Sequence, residues 1–157
     1  MSVPAADRSA RRLFVYAMQE AVRHGSPSVE AEHLLLAVAA EGPRSVRTLV
    51  EEFGLGYEAV EALVTREREA SLGGVGVEAK APMPLRAMRG ARGRDRLGAS
   101  AVSAFRRARF AAHGPGRRNE AVAILLGVLD ADYGTVPRML AFAGVDRAAL
   151  RARLEAL

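Results

Sequence analysis

The chain has 157 residues, half of them apolar, with no Cys and a net charge of +5. This length suits one domain or two very small ones, and the lack of Cys excludes disulfides and thiolate metal sites. No apolar run approaches the roughly 18 residues that cross a membrane. The N-terminus also lacks the charged start and apolar core of a signal peptide, so we expect a cytoplasmic protein.

Four helices are predicted in the first half of the chain, where apolar side chains recur at helical spacing between glycine and proline breaks. The Leu34–Leu36 triplet in the second helix has no polar side, which predicts a helix buried on more than one face. The predicted helices are Asp7–Arg23, Glu30–Ala40, a third that starts at Pro43 and stops at Gly54, and Tyr57–Ala70.

A segment rich in Gly and Pro, residues 71–98, comes next and is predicted to be a flexible linker. Four more helices follow it. Asp146 is a suitable N-cap for the last one, and Pro137 is tolerable in a first turn. These helices are predicted at Ser100–His113, Asn119–Ala131, Thr135–Ala143 and Asp146–Leu157.

The two halves coincide when the chain is shifted by 90 residues. Leu34–Val38 falls on Ile124–Val128, and Gly54 falls on Gly144. Self-similarity of this kind indicates a duplicated unit. We therefore predict an all-α fold of eight helices in two pseudo-symmetric four-helix repeats, with repeat one at 7–70 and repeat two at 99–157 of a single domain spanning 1–157. The core is predicted to contain Leu35, Leu36, Val50, Leu125, Leu126 and Leu140.

Several short strings recur in both halves. They are Ala17, Ala21 and Gly25, then Glu32–Ala37 (E-H-L-L-L-A) and Gly54–Gly56 in the first half, and Ala108, Ala112, Gly116, Ile124–Gly127 and Gly144–Asp146 in the second. With these strings the chain resembles the N-terminal domain of Clp ATPases of the ClpA and ClpC type over nearly its whole length. The phosphate-loop motif of an ATPase module does not occur, so we expect a free-standing domain.

The resemblance implies a protein-interaction module that recruits substrates and adaptors, and here an adaptor, decoy or sponge for Clp proteolysis. Some members of the family recognise phosphorylated arginine through the acidic residue of the E-H string. In this chain that residue is Glu32, whereas Val122 takes its place in the second half, with Glu120 nearby as a substitute. Ala31 stands where Thr or Ser is usual, so the ordinary helix cap is missing.

Glu32 has two interpretations. A carboxylate near a helix N-terminus can bind a guanidinium through two hydrogen bonds, while nearby backbone N–H groups face a phosphate. Alternatively, it is an ordinary first-turn glutamate that complements the helix dipole. His33 is predicted to be structural. No metal site, cofactor or enzymatic activity is expected, because His24, His33 and His113 lack ligand spacing and no catalytic motif occurs.

Residues 86–118 contain ten Arg and the single acidic residue Asp95. This segment is either a basic surface that binds nucleic acid, which would make the protein a nucleic-acid-binding regulator, or a solvated linker followed by the polar face of a helix. Phe105 and Phe110 are predicted to point into the core. A third alternative follows from the resemblance, because peptide antibiotics target the Clp domain in actinobacteria, and it is that the protein sequesters such antibiotics.

Overall fold

The computed structural model describes residues 5–74, 96–112 and 119–157, and within these residues the chain forms eight α-helices and no strand. The prediction of an all-α fold with eight helices is therefore confirmed. The helices are α1 Ala5–Arg23, α2 Ala31–Glu41, α3 Arg44–Glu52, α4 Tyr57–Gly73, α5 Ala99–Ala112, α6 Glu120–Leu129, α7 Thr135–Phe142 and α8 Arg147–Glu155. None of them is long and apolar enough to cross a membrane.

Helices α2 and α6 form the centre of the fold, pack against each other and are surrounded by the remaining helices. Almost every side chain of both helices is buried, which confirms the prediction made from the leucine triplet. The six residues predicted to form the core have exposures between 0% and 1%. Burial of side chains this large is the main stabilising contribution in a domain of this size.

Small residues bring α5 and α6 close together. Ala101 and Ala104 on α5 are fully buried, and Gly127 on α6 faces them. A Cβ atom added at Gly127 would lie 2.2 Å from the carbonyl oxygen of Ala104 and 2.8 Å from the backbone nitrogen of Ala108. The absence of a side chain at Gly127 therefore allows the two helix backbones to touch, in keeping with a core poor in aromatic residues.

Glycines end the helices where the sequence predicts. Gly25, Gly54 and Gly144 have φ angles of 65°, 72° and 65°, the left-handed conformation that closes a helix. The amide of the residue after each glycine donates to a carbonyl in the last turn, as from Leu55 to Val50 and from Val145 to Leu140. Gly54 and Gly144, which coincide in the 90-residue shift, thus form the same cap.

Helix boundaries differ from the predictions by a few residues. Pro43 is the N-cap of α3 rather than its first helical residue. Helix α4 continues to Gly73, three residues into the segment predicted as a linker, and Leu97 at the other end of that segment forms an isolated parallel bridge with Val29. Residues 75–95, which make up most of the predicted linker, lie outside the described residues.

Candidate functional site

Two open clefts meet at Glu32 and Thr135, and these two residues line both of them. The α4–α7 cleft has a volume of about 370 Å³ and lies between the α1–α2 loop, α4 and α7. The α5 cleft has a volume of about 340 Å³ and lies between α5 and the loop that joins α6 to α7. Glu32 therefore stands where the two clefts adjoin and borders both of them.

The carboxylate of Glu32 is half-buried and forms no hydrogen bond or ion pair with another side chain among the described residues. Its pKa is raised from the usual 4.5 to about 7, mainly by burial and to a smaller extent by the nearby carboxylates of Glu30 and Glu67. Its own backbone N–H and the guanidinium of Arg138 act in the opposite direction. A carboxylate with a raised pKa in a cleft is typical of a binding or catalytic position.

The N-terminus of α2 is capped by residues that the sequence did not suggest. Glu30 is the N-cap residue, and its backbone N–H donates to the ring of His33. The N–H of Ala31 donates to the hydroxyl of Ser100, 69 residues further along the chain, at 2.8 Å. The cap that Ala31 fails to supply is thus provided by another helix, α5.

This capping changes the expectation about phosphate binding at the α2 N-terminus. The N–H groups of Ala31 and His33 are already bonded, to Ser100 and Glu30, and the N–H of Glu32 bonds its own carboxylate. These N–H groups therefore already have partners within the protein, and phosphate binding at this helix end stays a prediction. An anion in this site would need a cationic side chain instead.

His33 is buried, and its Nδ1 atom accepts the hydrogen bond from Glu30 N–H at 2.9 Å. An accepting Nδ1 requires a neutral ring with its proton on Nε2. Burial and, to a smaller extent, the neighbouring His24 lower the pKa of His33 to about 4, so the ring stays neutral near pH 7. This geometry suits the structural role predicted for His33.

Arg138 faces the α4–α7 cleft from α7 and is held by Glu67 of α4. The carboxylate of Glu67 is almost completely buried and accepts from Arg138 at 2.6 Å and from Ser71 at 2.7 Å. The side chain of Arg138 as a whole remains 53% exposed. Arg138 lies near enough to Glu32 to lower its pKa, but no ion pair joins the two. The cleft thus presents a carboxylate and a separately anchored guanidinium with space between them.

Sequence reasoning did not find Arg138, because nothing in its local sequence separates it from the other arginines. A signal did exist in the chain. Glu67 follows Val60 and Val64 at helical spacing, which places it on the buried face of α4, and a buried glutamate needs a cationic partner.

Among the residues that the structure describes, the second half of the chain has no counterpart of this arrangement. Val122, which replaces the acidic residue, is buried in α6. Glu120, predicted as the substitute, is the first residue of α6 and lines neither of the two clefts. A third cleft of about 480 Å³ lies beside α1, and its one carboxylate, that of Glu41, pairs with Arg12. The structure therefore does not bring Glu32 and Glu120 together.

Only part of the Arg-rich segment belongs to the described residues. Arg106 and Arg109 are exposed on α5, whereas Arg107 is half-buried and donates from Nε to the carbonyl of Gly127 at 2.8 Å.

Phe105 packs against the core, but Phe110 is 78% exposed, so the prediction that it points inwards is wrong. Phe110 lies on the outer face of α5, which no other described helix covers.

No group of three or more metal-binding side chains occurs in the part of the chain that the structure describes, and His113 lies outside that part. Comparison of the sequence with profiles of known protein families and with curated proteins gives no match.

Proposed function

We propose that this protein is a non-catalytic protein-interaction module of the Clp N-terminal domain type, and that Glu32 receives an arginine side chain of the partner. The observation that carries the proposal is the carboxylate of Glu32, which has no side-chain partner and stands at the junction of two clefts. A guanidinium is the natural occupant, because it can form two hydrogen bonds with one carboxylate.

The arrangement of the helices supports the duplicated fold that the resemblance implies. Four helices precede the undescribed residues 75–95 and four follow them. Six of the seven residues that line the cleft beside α1 coincide, after a shift of 90 residues, with residues that line the α5 cleft. They are Ser9, Ala40, Glu41, Gly42, Pro43 and Arg47. We infer two four-helix repeats related by a pseudo-twofold axis, each with a cleft at the same place.

Phosphorylated arginine fits the α4–α7 cleft better than it fits the α2 N-terminus. Its guanidinium nitrogen atoms would face Glu32 and its phosphate would face Arg138, whose outer side is exposed. Arginine forms strong paired hydrogen bonds with phosphate oxygens. Because Val122 is buried and apolar at the equivalent position, we expect one ligand per chain rather than two.

The test is titration calorimetry with phospho-arginine and with N-acetyl-arginine amide, in wild type, Glu32→Gln and Glu120→Gln proteins. Wild type should bind one equivalent of ligand, Glu32→Gln should lose binding, and Glu120→Gln should retain it. Binding of N-acetyl-arginine amide should strengthen about tenfold from pH 6 to pH 8, because the ligand keeps its charge while Glu32, with a pKa of about 7, ionises. Equal affinities for wild type and Glu32→Gln would refute the proposal.

A further inference from the structure

We infer, resting on the function proposed above, that the ligand is an extended basic peptide rather than a single residue, and that it places a second basic side chain against Tyr133. The first basic side chain lies on Glu32, and the second lies at the rim of the α5 cleft. The inference comes from the shape of the two clefts, the exposure of Tyr133 and the charges around it.

The shape favours a chain that crosses the junction. Glu32 and Thr135 line both clefts, so a ligand on Glu32 has open surface on either side of it. An extended peptide advances about 3.3 Å per residue and points alternate side chains in opposite directions. A segment of a few residues can therefore put one side chain on Glu32 and a later one on the loop between α6 and α7.

Tyr133 stands in that loop and is 91% exposed. It lines the α5 cleft and makes no hydrogen bond or ring contact with any described residue. The following residue, Gly134, has a φ angle of 114°, which turns the backbone into α7. An exposed tyrosine with a free ring face attracts a guanidinium or ammonium group, and tyrosines of this kind are frequent at protein interfaces.

The charges of the α5 cleft favour a basic ligand. Three carboxylates line it, those of Glu32, Asp130 and Asp132, against the single guanidinium of Arg107. Asp130 pairs with Arg151, whereas Asp132, next to Tyr133, is exposed and has no ion-pair partner in the described part of the chain. A cationic side chain on the ring of Tyr133 would therefore also lie close to the free carboxylate of Asp132.

The experiment measures the binding of fluorescein-labelled peptides of Gly, Ser and Ala that contain either one arginine or two arginines separated by one to four residues. At the best spacing, the two-arginine peptide should bind wild type about fivefold more tightly than the one-arginine peptide, as one exposed cation–π contact and one surface charge pair allow. Tyr133→Ala and Asp132→Asn should both reduce this advantage, and neither should change the affinity for N-acetyl-arginine amide.

Phe110→Ala is the matched control, because Phe110 is also strongly exposed but lines neither cleft. It should leave all affinities unchanged. An advantage of the two-arginine peptide that persists fully in Tyr133→Ala would overturn the inference, as would equal affinities for both peptides in wild type. The function proposed for Glu32 fails by a different result, namely binding of the one-arginine peptide that is unaffected by Glu32→Gln.

Discussion

Replacement of Glu32 with Gln should make the folded protein more stable above pH 7 while it abolishes ligand binding. In the unfolded chain Glu32 loses its proton near pH 4.5, but in the folded protein it does so near pH 7. Between these two values the folded state binds more protons than the unfolded state, so the stability falls as the pH rises. The penalty is absent below pH 4.5 and complete above pH 7.

The magnitude follows from the same difference in pKa. Each tenfold change in proton affinity corresponds to about 1.4 kcal/mol, and water that reaches a half-buried carboxylate reduces the effect to about 2 kcal/mol in total. Gln has the same shape and carries no charge, so Glu32→Gln should raise the free energy of unfolding by about 2 kcal/mol at pH 8 and by much less at pH 5.

The measurement is urea denaturation followed by circular dichroism, with wild type and variant compared at pH 5 and pH 8. Glu58→Gln is the matched control, because Glu58 is an exposed glutamate in the first turn of α4. Loss of its charge should destabilise slightly at pH 8, by about 0.5 kcal/mol, through the helix dipole. If Glu32→Gln behaves like Glu58→Gln, Glu32 is an ordinary first-turn glutamate and the argument for a binding site is refuted.

Two further predictions concern the packing and the capping of the central helices. Gly127→Ala should destabilise the protein by about 2 kcal/mol or more, because its new methyl group would lie 2.2 Å from the backbone of Ala104 and force α5 and α6 apart; an unchanged urea midpoint would contradict this packing. The contribution of His33 to stability should fall as the pH falls from 6.5 to 4, opposite in sign to that of Glu32, because the pKa of His33 is about 4 in the folded state and protonation then favours the unfolded chain. His33→Gln keeps an acceptor for the Glu30 amide but does not titrate, so the variant should lose less stability than wild type between pH 6.5 and pH 4. Equal losses in the two proteins would exclude this role for His33.

The sequence by itself determined the elements of the fold. Helix ends depend on short-range interactions, so Gly54 and Gly144 mark their caps and Asp146 forms its predicted hydrogen bond to the amide of Ala149. The Leu34–Leu36 triplet likewise indicates burial, because a helix without a polar face must be covered on several sides. For a side chain near a helix end or on the surface, the neighbouring residues in the sequence do not fix whether it points into the core. The prediction for Phe110 was accordingly wrong.

Only the tertiary structure decided what surrounds Glu32. Ser100, which caps α2, is 69 residues from Ala31, and Arg138, which faces the cleft, is 71 residues from its partner Glu67. The raised pKa of Glu32 arises from burial by helices distant in sequence. Contacts of this range depend on how α4, α5 and α7 pack around α2, and no local pattern of residues specifies that packing. The sequence could therefore point to Glu32, while the neighbours that set its charge and its possible ligands appear only in the folded chain.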